Sequence, residues 1–370
     1  MNQKPSPSPP DRHRMQHPSL FVPFASGLNP LLPQATRQMW YWIDETRLAP
    51  GEAGRRQIRR TRPDLFAGRV YPDADLELLV LACHWLAVNF RLDDQLDEGP
   101  GGRQAEVCRA AIDELSAVLG GQLLDCDTQT PLSCAYADVW RRTATGRPEG
   151  WCRAFAQDLC SFLESYYVET VHRTTGHRPG IEEYLAHRRA TVGMGWLMDL
   201  AELTLPDYLP DEVRGGAAMQ ELRNAAAEHV GLVNDVFSLQ REVALGYYHN
   251  AVVVVHETLA CDLQEALQQV SKMVADTARR FVAAESALPA ALTAQGVDRP
   301  TRRLAYDYAK KFRPMMRGNH DWHFEVERHR TDDLPTDGTA PDYAHDLLES
   351  SDYQPLSQGT RRAEAEEEAS

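Results

Sequence analysis

Four carboxylates cluster in the stretch FRLDDQLDEGP, namely Asp93, Asp94, Asp97 and Glu98. On an α-helix, Asp93 lies one turn before Asp97 and Asp94 one turn before Glu98, so the four side chains crowd one helix end. Like charges repel there, and carboxylates are unfavourable at the negative end of the helix dipole. Magnesium prefers carboxylate oxygens and would offset both costs. The pattern indicates a metal site, and a solvated helix end before a glycine-rich loop is the alternative.

A second group of oxygen ligands occurs in GLVNDVFSLQREVALG. Asn234, Ser238 and Glu242 are spaced by four residues, so an amide, a hydroxyl and a carboxylate line one face of a helix. Together they offer one Mg²⁺ ion several oxygens and a single negative charge. An ordinary polar helix face is the other interpretation.

Apolar residues recur at helical spacing between residues 22 and 330, with almost no strand-like alternation. The breaks are rich in glycine and proline, as in GPGG after Glu98 and TGHRPG at 175–180. VVVV at 252–255 lies inside an otherwise helical stretch. The clearest predicted helices are 75–93, 151–172, 181–203, 217–245 and 262–288. The sequence therefore predicts one all-α domain over 22–330.

Both ends of the chain differ from this domain. Residues 1–21 are rich in proline and are predicted to be disordered, as is the acidic tail 331–370. The tail carries eleven Asp or Glu residues against two arginines, so about −6 of the net charge of −15 belongs to the rest of the chain. This balance disfavours nucleic acid as a partner.

Composition also indicates the cellular compartment in which the protein is expected. The most apolar stretch, LELLVLACHWLAVNF, is shorter than a membrane span and contains Glu77. No secretory leader is recognisable at the start. The seven cysteines are odd in number, scattered and without a CxxC pair, which favours a reducing cytoplasm and disfavours structural zinc. A homodimer is compatible with the sequence.

These motifs resemble those of the bacterial class I terpene synthases. DDQLDE is similar to the family's DDxxxE/DDxxD motif, and NDVFSLQRE to its NDxxSxxxE triad, with a basic residue before the glutamate. The segments FVPFASGLNP, GRVYPDADLELLVLACHW and IEEYLAHRRATVG also resemble the family, so the similarity covers about 300 residues. It implies a single-domain helical bundle around a central apolar cavity, in which Mg²⁺ helps to ionise a linear prenyl diphosphate before cyclisation.

The resemblance also assigns metal ligands. Asp93 is the strongest candidate, Asp97 and Glu98 are weaker contributors, and Asp94 is expected to orient an arginine. The resemblance implies that Asn234, Ser238 and Glu242 hold a third magnesium ion.

Diphosphate ligands follow from the same comparison. Arg188 matches the diphosphate-sensing arginine better than Arg189, and Arg241 matches the basic residue before the triad glutamate, with a surface cation as the alternative. In RGNHDWHFEVERHR, Arg328 takes the arginine position of the family's Arg-Tyr pair. His329 stands where tyrosine is usual, which leaves that last ligand open.

Aromatic residues are further candidates for the site, because their ring faces stabilise cations without reacting with them. Phe90 lies three positions before Asp93, and the resemblance places Trp322 in the cavity wall. Trp85, Trp196 and Phe237 are further candidates that core packing explains equally well. The histidines have plainer interpretations: His84 is expected in the core, and His320 and His323 lack the spacing of a metal site.

Conversion of farnesyl diphosphate to a sesquiterpene is the predicted reaction, with a diterpene synthase using geranylgeranyl diphosphate as the alternative. A chain-elongating prenyltransferase would carry a second aspartate-rich motif in place of NDVFSLQRE. A noncatalytic isoprenoid diphosphate-binding protein would bind the substrate and release no diphosphate. A di-iron bundle is disfavoured because no pair of ExxH motifs is present.

Overall fold

Helices without any β-strand make up the part of the chain that the computed structural model describes, which is residues 18–99, 101–121, 130–332, 334, 340–344 and 346–348. The α-helices in this part are α1 Leu32–Thr46, α2 Glu52–Thr61, α3 Pro63–Val70, α4 Leu76–Asp93, α5 Ala105–Leu119, α6 Pro131–Ala144, α7 Glu149–Thr175, α8 Ile181–Thr191, α9 Met194–Glu202, α10 Asp211–Arg214, α11 Ala217–Leu245, α12 Ala251–Leu259, α13 Leu263–Ala294, α14 Arg299–Lys310 and α15 Phe312–Glu325. The predicted all-α fold class is confirmed.

Helix α4 is a central element because it is apolar on all sides. The carboxylate of Asp75 caps its start by accepting a hydrogen bond from the backbone N–H of Leu78 at 2.9 Å. Fourteen of its eighteen residues are buried, which requires neighbours on every face. It packs against α1, α3 and α6. Its carboxyl end, where Asp93 lies, is therefore held firmly.

A π-helical turn, Asp94–Glu98, continues α4. In a π-helix the hydrogen bonds join residues five apart, so the i,i+4 pairing expected of a regular α-helix does not apply to these carboxylates. The turn ends at Gly99, where a β-carbon would lie 1.9 Å from the carbonyl oxygen of Ala344. Only glycine fits such a close approach.

Helix α11 carries the second group of ligands. It spans 217–245 as predicted and packs mainly against α13, with α8, α9, α12 and α15 on its other sides. The VVVV run is helical, in α12. The predicted helix 181–203 is wrong in one respect, since it is divided into α8 and α9. Gly193 separates them because its φ is +69°, a conformation that a regular helix does not contain.

Part of the acidic tail is ordered, which corrects the prediction of disorder for these residues. Tyr343 and Leu347 are buried, with exposures of 6% and 1%. The amide group of Gln95 donates to the carbonyl oxygen of Tyr343 at 2.6 Å and accepts from the backbone N–H of Leu347 at 3.0 Å. Two apolar anchors and one buried amide therefore hold the segment. Residues 1–17, 335–339 and 349–370 lie outside the described part, and the domain boundaries at 22 and 330 stay predictions.

Two further expectations concern membranes and thiols. Among the helices described, none has both the length and the apolar character needed to cross a bilayer. Cys134 is disulfide-bonded. This disulfide differs from the free thiols that the scattered cysteine pattern predicts.

Candidate active site

One cavity is lined by most of the residues that the sequence singled out for metal or substrate binding. It lies between α4, α7, α8, α9, α11 and α15. The predicted residues that line it are Phe90, Asp93, Asp97, Glu98, Arg188, Asn234, Ser238, Arg241, Glu242, Trp322, Arg328 and His329. The structure thus brings together residues that are up to 239 positions apart in the chain.

Buried carboxylates mark the polar end of this cavity. Asp97 Oδ1 is buried and accepts no hydrogen bond from the described residues, and its nearest cation is Arg173 Nη1 at 3.7 Å. Burial raises the pKa of Asp97 well above its usual range, and repulsion from Asp93 and Glu242 adds to the rise. Burial also raises the pKa of Asp93, whose Oδ1 accepts a hydrogen bond from the Tyr166 hydroxyl at 3.0 Å. A cation between these oxygens would relieve the repulsion.

The stripe on α11 faces the same space. Asn234 Oδ1 accepts a hydrogen bond from Arg188 Nη2 at 2.8 Å, and Glu242 Oε2 accepts one from Asn250 Nδ2 at 2.8 Å. Burial raises the pKa of Glu242 to about 8, with repulsion from Asp235 as the next cause. Glu242 and Asp97 line the same cavity, and repulsion from Glu242 is one of the smaller causes that raise the pKa of Asp97.

Arg188 and Arg241 are held by carboxylates. Arg188 pairs with Asp235 Oδ1 at 2.9 Å. Arg241 is buried, not a surface cation, and its Nε and Nη2 donate to the two carboxylate oxygens of Glu98 at 2.9 and 2.7 Å. Tyr343 completes this group, because its hydroxyl accepts from Arg241 Nη2 at 2.5 Å and donates to Glu98 at 2.7 Å.

Arg328 and His329 approach from the segment after α15. Arg328 pairs with Asp93 at 2.5 Å and donates to Asp94 Oδ1 at 2.9 Å, so Asp94 orients an arginine as expected. His329 Nε2 shares a hydrogen bond with His323 Nδ1 at 2.9 Å. Burial lowers the pKa of His329 to about 3, with Arg328 as the next cause, so the imidazole is neutral in this state.

The remainder of the cavity is apolar and aromatic. Phe90 and Trp322 stack with their ring centroids 5.5 Å apart, and Phe66 meets Trp322 edge-on at 5.1 Å. Other apolar lining residues are Leu86, Phe162, Val192, Trp196, Leu197, Val230 and Leu245. The cavity therefore joins a polar end to an apolar wall.

Three of the weaker aromatic and histidine candidates lie outside the cavity lining. Trp85 is core, and its indole N–H donates to Thr143 at 2.8 Å. Phe237 stacks on the ring of His323 at 4.7 Å. His84 is buried and stacks on Trp42 at 4.4 Å, as expected of a core histidine.

Several lining residues escaped the sequence analysis. Tyr166 on α7 bonds to Asp93 although the two are 73 positions apart. Tyr247 and His249 follow α11, and Asn89 and Asn319 lie on α4 and α15. No spacing in the sequence distinguishes these residues from ordinary polar positions, because only tertiary packing brings them to the cavity.

Comparison with known proteins identifies the family. The profile of "Terpene synthase family 2, C-terminal metal binding" matches residues 84–280, a range that contains both groups of oxygen ligands. The chain belongs to this family. The terpene synthase is 41% identical over 317 residues to (2Z,6E)-hedycaryol synthase of Kitasatospora setae, covering 86% of this chain and 93% of the relative.

Two other comparisons agree. The terpene synthase is 31% identical over 273 residues to (+)-T-muurolol synthase ((2E,6E)-farnesyl diphosphate cyclizing) of Roseiflexus castenholzii, covering 73% of this chain and 82% of the relative. The structure of hedycaryol synthase in complex with HEPES superimposes with a TM-score of 0.76 at 39% identity, covering 85% of this chain and all of the other. The resemblance to bacterial class I terpene synthases is confirmed, as are the enzyme class and a metal-binding domain.

Proposed function

We propose that this terpene synthase uses Mg²⁺ to ionise farnesyl diphosphate and cyclises the resulting cation to a sesquiterpene. One observation carries the proposal: two groups of oxygen ligands, from the end of α4 and from α11, face each other at the polar end of a cavity with an aromatic wall. The substrate is supported by a relative at 31% identity whose name specifies (2E,6E)-farnesyl diphosphate.

The donor set suits magnesium. The proposed ligands are Asp93, Asp97, Glu98, Asn234, Ser238 and Glu242. All of them offer oxygen, which Mg²⁺ prefers, and the Asp97 oxygen without a hydrogen-bond donor is available. We expect three ions when substrate is bound. Bound magnesium supplies positive charge that stabilises the departing diphosphate.

Three arginines complete the proposed diphosphate site. Arg188, Arg241 and Arg328 line the cavity, and their guanidinium groups form charge-assisted hydrogen bonds suited to phosphate oxygens. They favour breakage of the allylic carbon–oxygen bond, because the electron pair leaves with an oxygen that they stabilise. His329 contributes less, since a neutral imidazole has one N–H and its Nε2 is shared with His323.

The apolar wall acts on the hydrocarbon part of the substrate. No protein nucleophile is required, so the wall has to shape the chain and exclude water that would quench the cation. Phe90 and Trp322 present ring faces, each worth about 0.5 to 2 kcal/mol to a passing cation. Closure of the segments after Glu98 and around Arg328 would strengthen the exclusion of water.

Product analysis tests the proposal. Purified protein with Mg²⁺ is incubated separately with geranyl, farnesyl and geranylgeranyl diphosphates, and volatile products and released diphosphate are measured. We expect a cyclic sesquiterpene from farnesyl diphosphate. A cyclic diterpene as the main product would reassign the substrate, and the absence of diphosphate release from all three would overturn the reaction. A cytoplasmic location and a homodimer stay predictions of the sequence.

A further inference from the structure

A cluster of histidines lies where α7 turns into α8, apart from the proposed magnesium ligands. The ring centroid of His172 is 4.4 Å from that of His177, 5.3 Å from that of His249 and 6.2 Å from that of His187. His249 lines the cavity, whereas His177 is exposed. The cluster therefore extends from the active-site wall to the surface.

Three residues of this cluster converge on one point. One potential ligand atom from each of His172, His177 and Glu183 lies within 4.8 Å of the other two. His177 Nε2 and Glu183 Oε1 are 2.8 Å apart. Because His177 and Glu183 are exposed, their side chains can adjust and an ion can enter from solvent.

The local fold produces this convergence. Helix α7 ends at Gly176, whose φ of +72° reverses the chain and whose N–H caps the carbonyl of His172. The backbone N–H of His177 also bonds to that carbonyl, at 3.0 Å. Glu183 lies in the first turn of α8. Three separate pieces of backbone, namely a helix end, a loop and a helix start, thus supply the three side chains.

A buried neighbour orients the first imidazole. His172 Nδ1 and His249 Nε2 share a hydrogen bond of 3.1 Å, so Nε2 of His172 is its remaining nitrogen. His249 is 4% exposed, and its Nδ1 has no hydrogen-bond partner among the described residues. Metal-binding histidines usually have such a partner on their second nitrogen, which fixes the ring and the tautomer.

Nearby cations do not compete for the site. Arg173 donates to the carbonyl oxygen of Gly102 at 2.9 Å. Arg178 pairs with Glu257 at 3.6 Å and lies 3.5 Å from the ring centroid of Tyr248. Two imidazoles and one carboxylate therefore face one another without a competing arginine among them.

We propose that His172, His177 and Glu183 bind a transition-metal dication such as Zn²⁺, at a site distinct from the magnesium site. Imidazole suits zinc, copper and nickel, whereas Mg²⁺ favours oxygen, and two histidines with one glutamate are a known zinc ligand set that leaves a position for water. The bound ion ties the end of α7 to the start of α8, the helix that carries Arg188. Occupancy therefore stabilises one wall of the active site.

Metal titration of the full chain tests the site. Protein treated with a chelator is transferred to buffer with excess Mg²⁺, which occupies the carboxylates of the cavity, and is titrated with Zn²⁺ by calorimetry. Co²⁺ is used in parallel because its visible absorption reports the coordination geometry. We expect one zinc site per chain, a higher melting temperature with zinc, and at least about tenfold weaker binding in His177→Ala and Glu183→Gln. Glu182→Gln removes the neighbouring exposed carboxylate of the same helix turn and should bind zinc like the wild type.

The same variants separate this site from the proposed reaction. Glu183→Gln should keep its magnesium-dependent turnover, and Asp93→Ala should keep its zinc site while losing turnover. Zinc binding that is unchanged in both His177→Ala and Glu183→Gln would overturn the proposal, as would a wild type that takes up no zinc. Zinc binding that disappears with Asp93 and persists without Glu183 would assign the ion to the cavity instead.

Discussion

Arg328 and Asp93 form an ion pair of 2.5 Å that joins the segment after α15 to the end of α4. A proposed diphosphate ligand and a proposed metal ligand are therefore each other's partners in this structure. Binding of metal to Asp93 removes a partner of Arg328, whose guanidinium also pairs with Asp94 at 2.9 Å. We infer that metal binding and the presentation of Arg328 to diphosphate are coupled.

Replacing Arg328 tests this coupling. Arg328→Ala should lower kcat/KM for farnesyl diphosphate about 10²- to 10³-fold, the usual effect of removing one donor to a developing anion. Arg328→Lys should fall between this variant and the wild type, because lysine keeps the charge but cannot bridge Asp93 and Asp94 with a planar fork. Diphosphate release at varied Mg²⁺ concentration is the measurement. Arg330→Lys, an exposed conservative change two residues away, is the control, and wild-type kinetics in both Arg328 variants would refute the role.

Removing one ligand from each metal group should abolish turnover without unfolding the protein. Asp93→Ala and Asn234→Ala each remove a proposed oxygen ligand of magnesium, so we expect product formation to fall at least about a hundredfold. Helicity by circular dichroism should hardly change, since alanine is a good helix former. Asp276→Asn alters an exposed aspartate on α13 and serves as the control. Undiminished turnover in both alanine variants would contradict the assignment of the two groups.

Local patterns explain why much of the fold was predictable. Helix α11 was predicted to its observed bounds because Gly216 and Gly246 flank a long periodic stretch without proline. The break at Gly193 was missed, since a glycine within an apolar periodic stretch does not reveal its positive φ. The π-helical turn after Asp93 was also missed, because residue types do not show whether the backbone hydrogen bonds join residues four or five apart.

Site residues that only tertiary contacts bring to the cavity could not be predicted from the sequence. The ligands on α11 were found because they occupy one helix face with regular spacing, and those after α4 because four carboxylates fall within six residues of the sequence. Tyr166 was missed because its bond to Asp93 depends on how α7 packs, and nothing in its local sequence records this. Tyr343 was missed because the acidic composition of residues 331–370 predicted disorder. Its hydroxyl nevertheless contacts both Arg241 and Glu98.

Magnesium binding should release protons near neutral pH. Burial raises the pKa of Glu242 from 4.5 to about 8, so the folded protein without metal holds a proton there at pH 7. Metal needs the carboxylate, so apparent Mg²⁺ affinity should rise with pH and level off above about pH 8. The unfolded chain loses this proton first, so Glu242 makes the metal-free fold less stable as pH rises from 4.5 to 8.

Calorimetry in buffers of different ionisation enthalpy measures the released protons. The wild type should release more protons at pH 7 than Glu242→Gln, whose amide has no proton to lose in this range. Asp97 also contributes, because burial raises its pKa, so some release should persist in the variant. Glu257→Gln changes an exposed glutamate and should match the wild type. Equal release by the wild type and Glu242→Gln would refute the titration of Glu242.

Phe90 should govern how much of the carbocation cyclises before water quenches it. Its ring stacks on Trp322 at 5.5 Å and lies 4.9 Å from the guanidinium carbon of Arg328, so it connects the aromatic wall to the diphosphate end. Phe90→Leu keeps an apolar side chain but removes a ring face worth about 0.5 to 2 kcal/mol, which corresponds to about a twofold to thirtyfold change in the ratio of cyclic to early-quenched products. Gas chromatography with mass spectrometry measures this ratio. Phe324→Leu, at a side chain that is 68% exposed, should leave the products unchanged. If Phe90→Leu gives the wild-type ratio at the wild-type rate, the ring does not stabilise the cation, and the wall acts through shape alone.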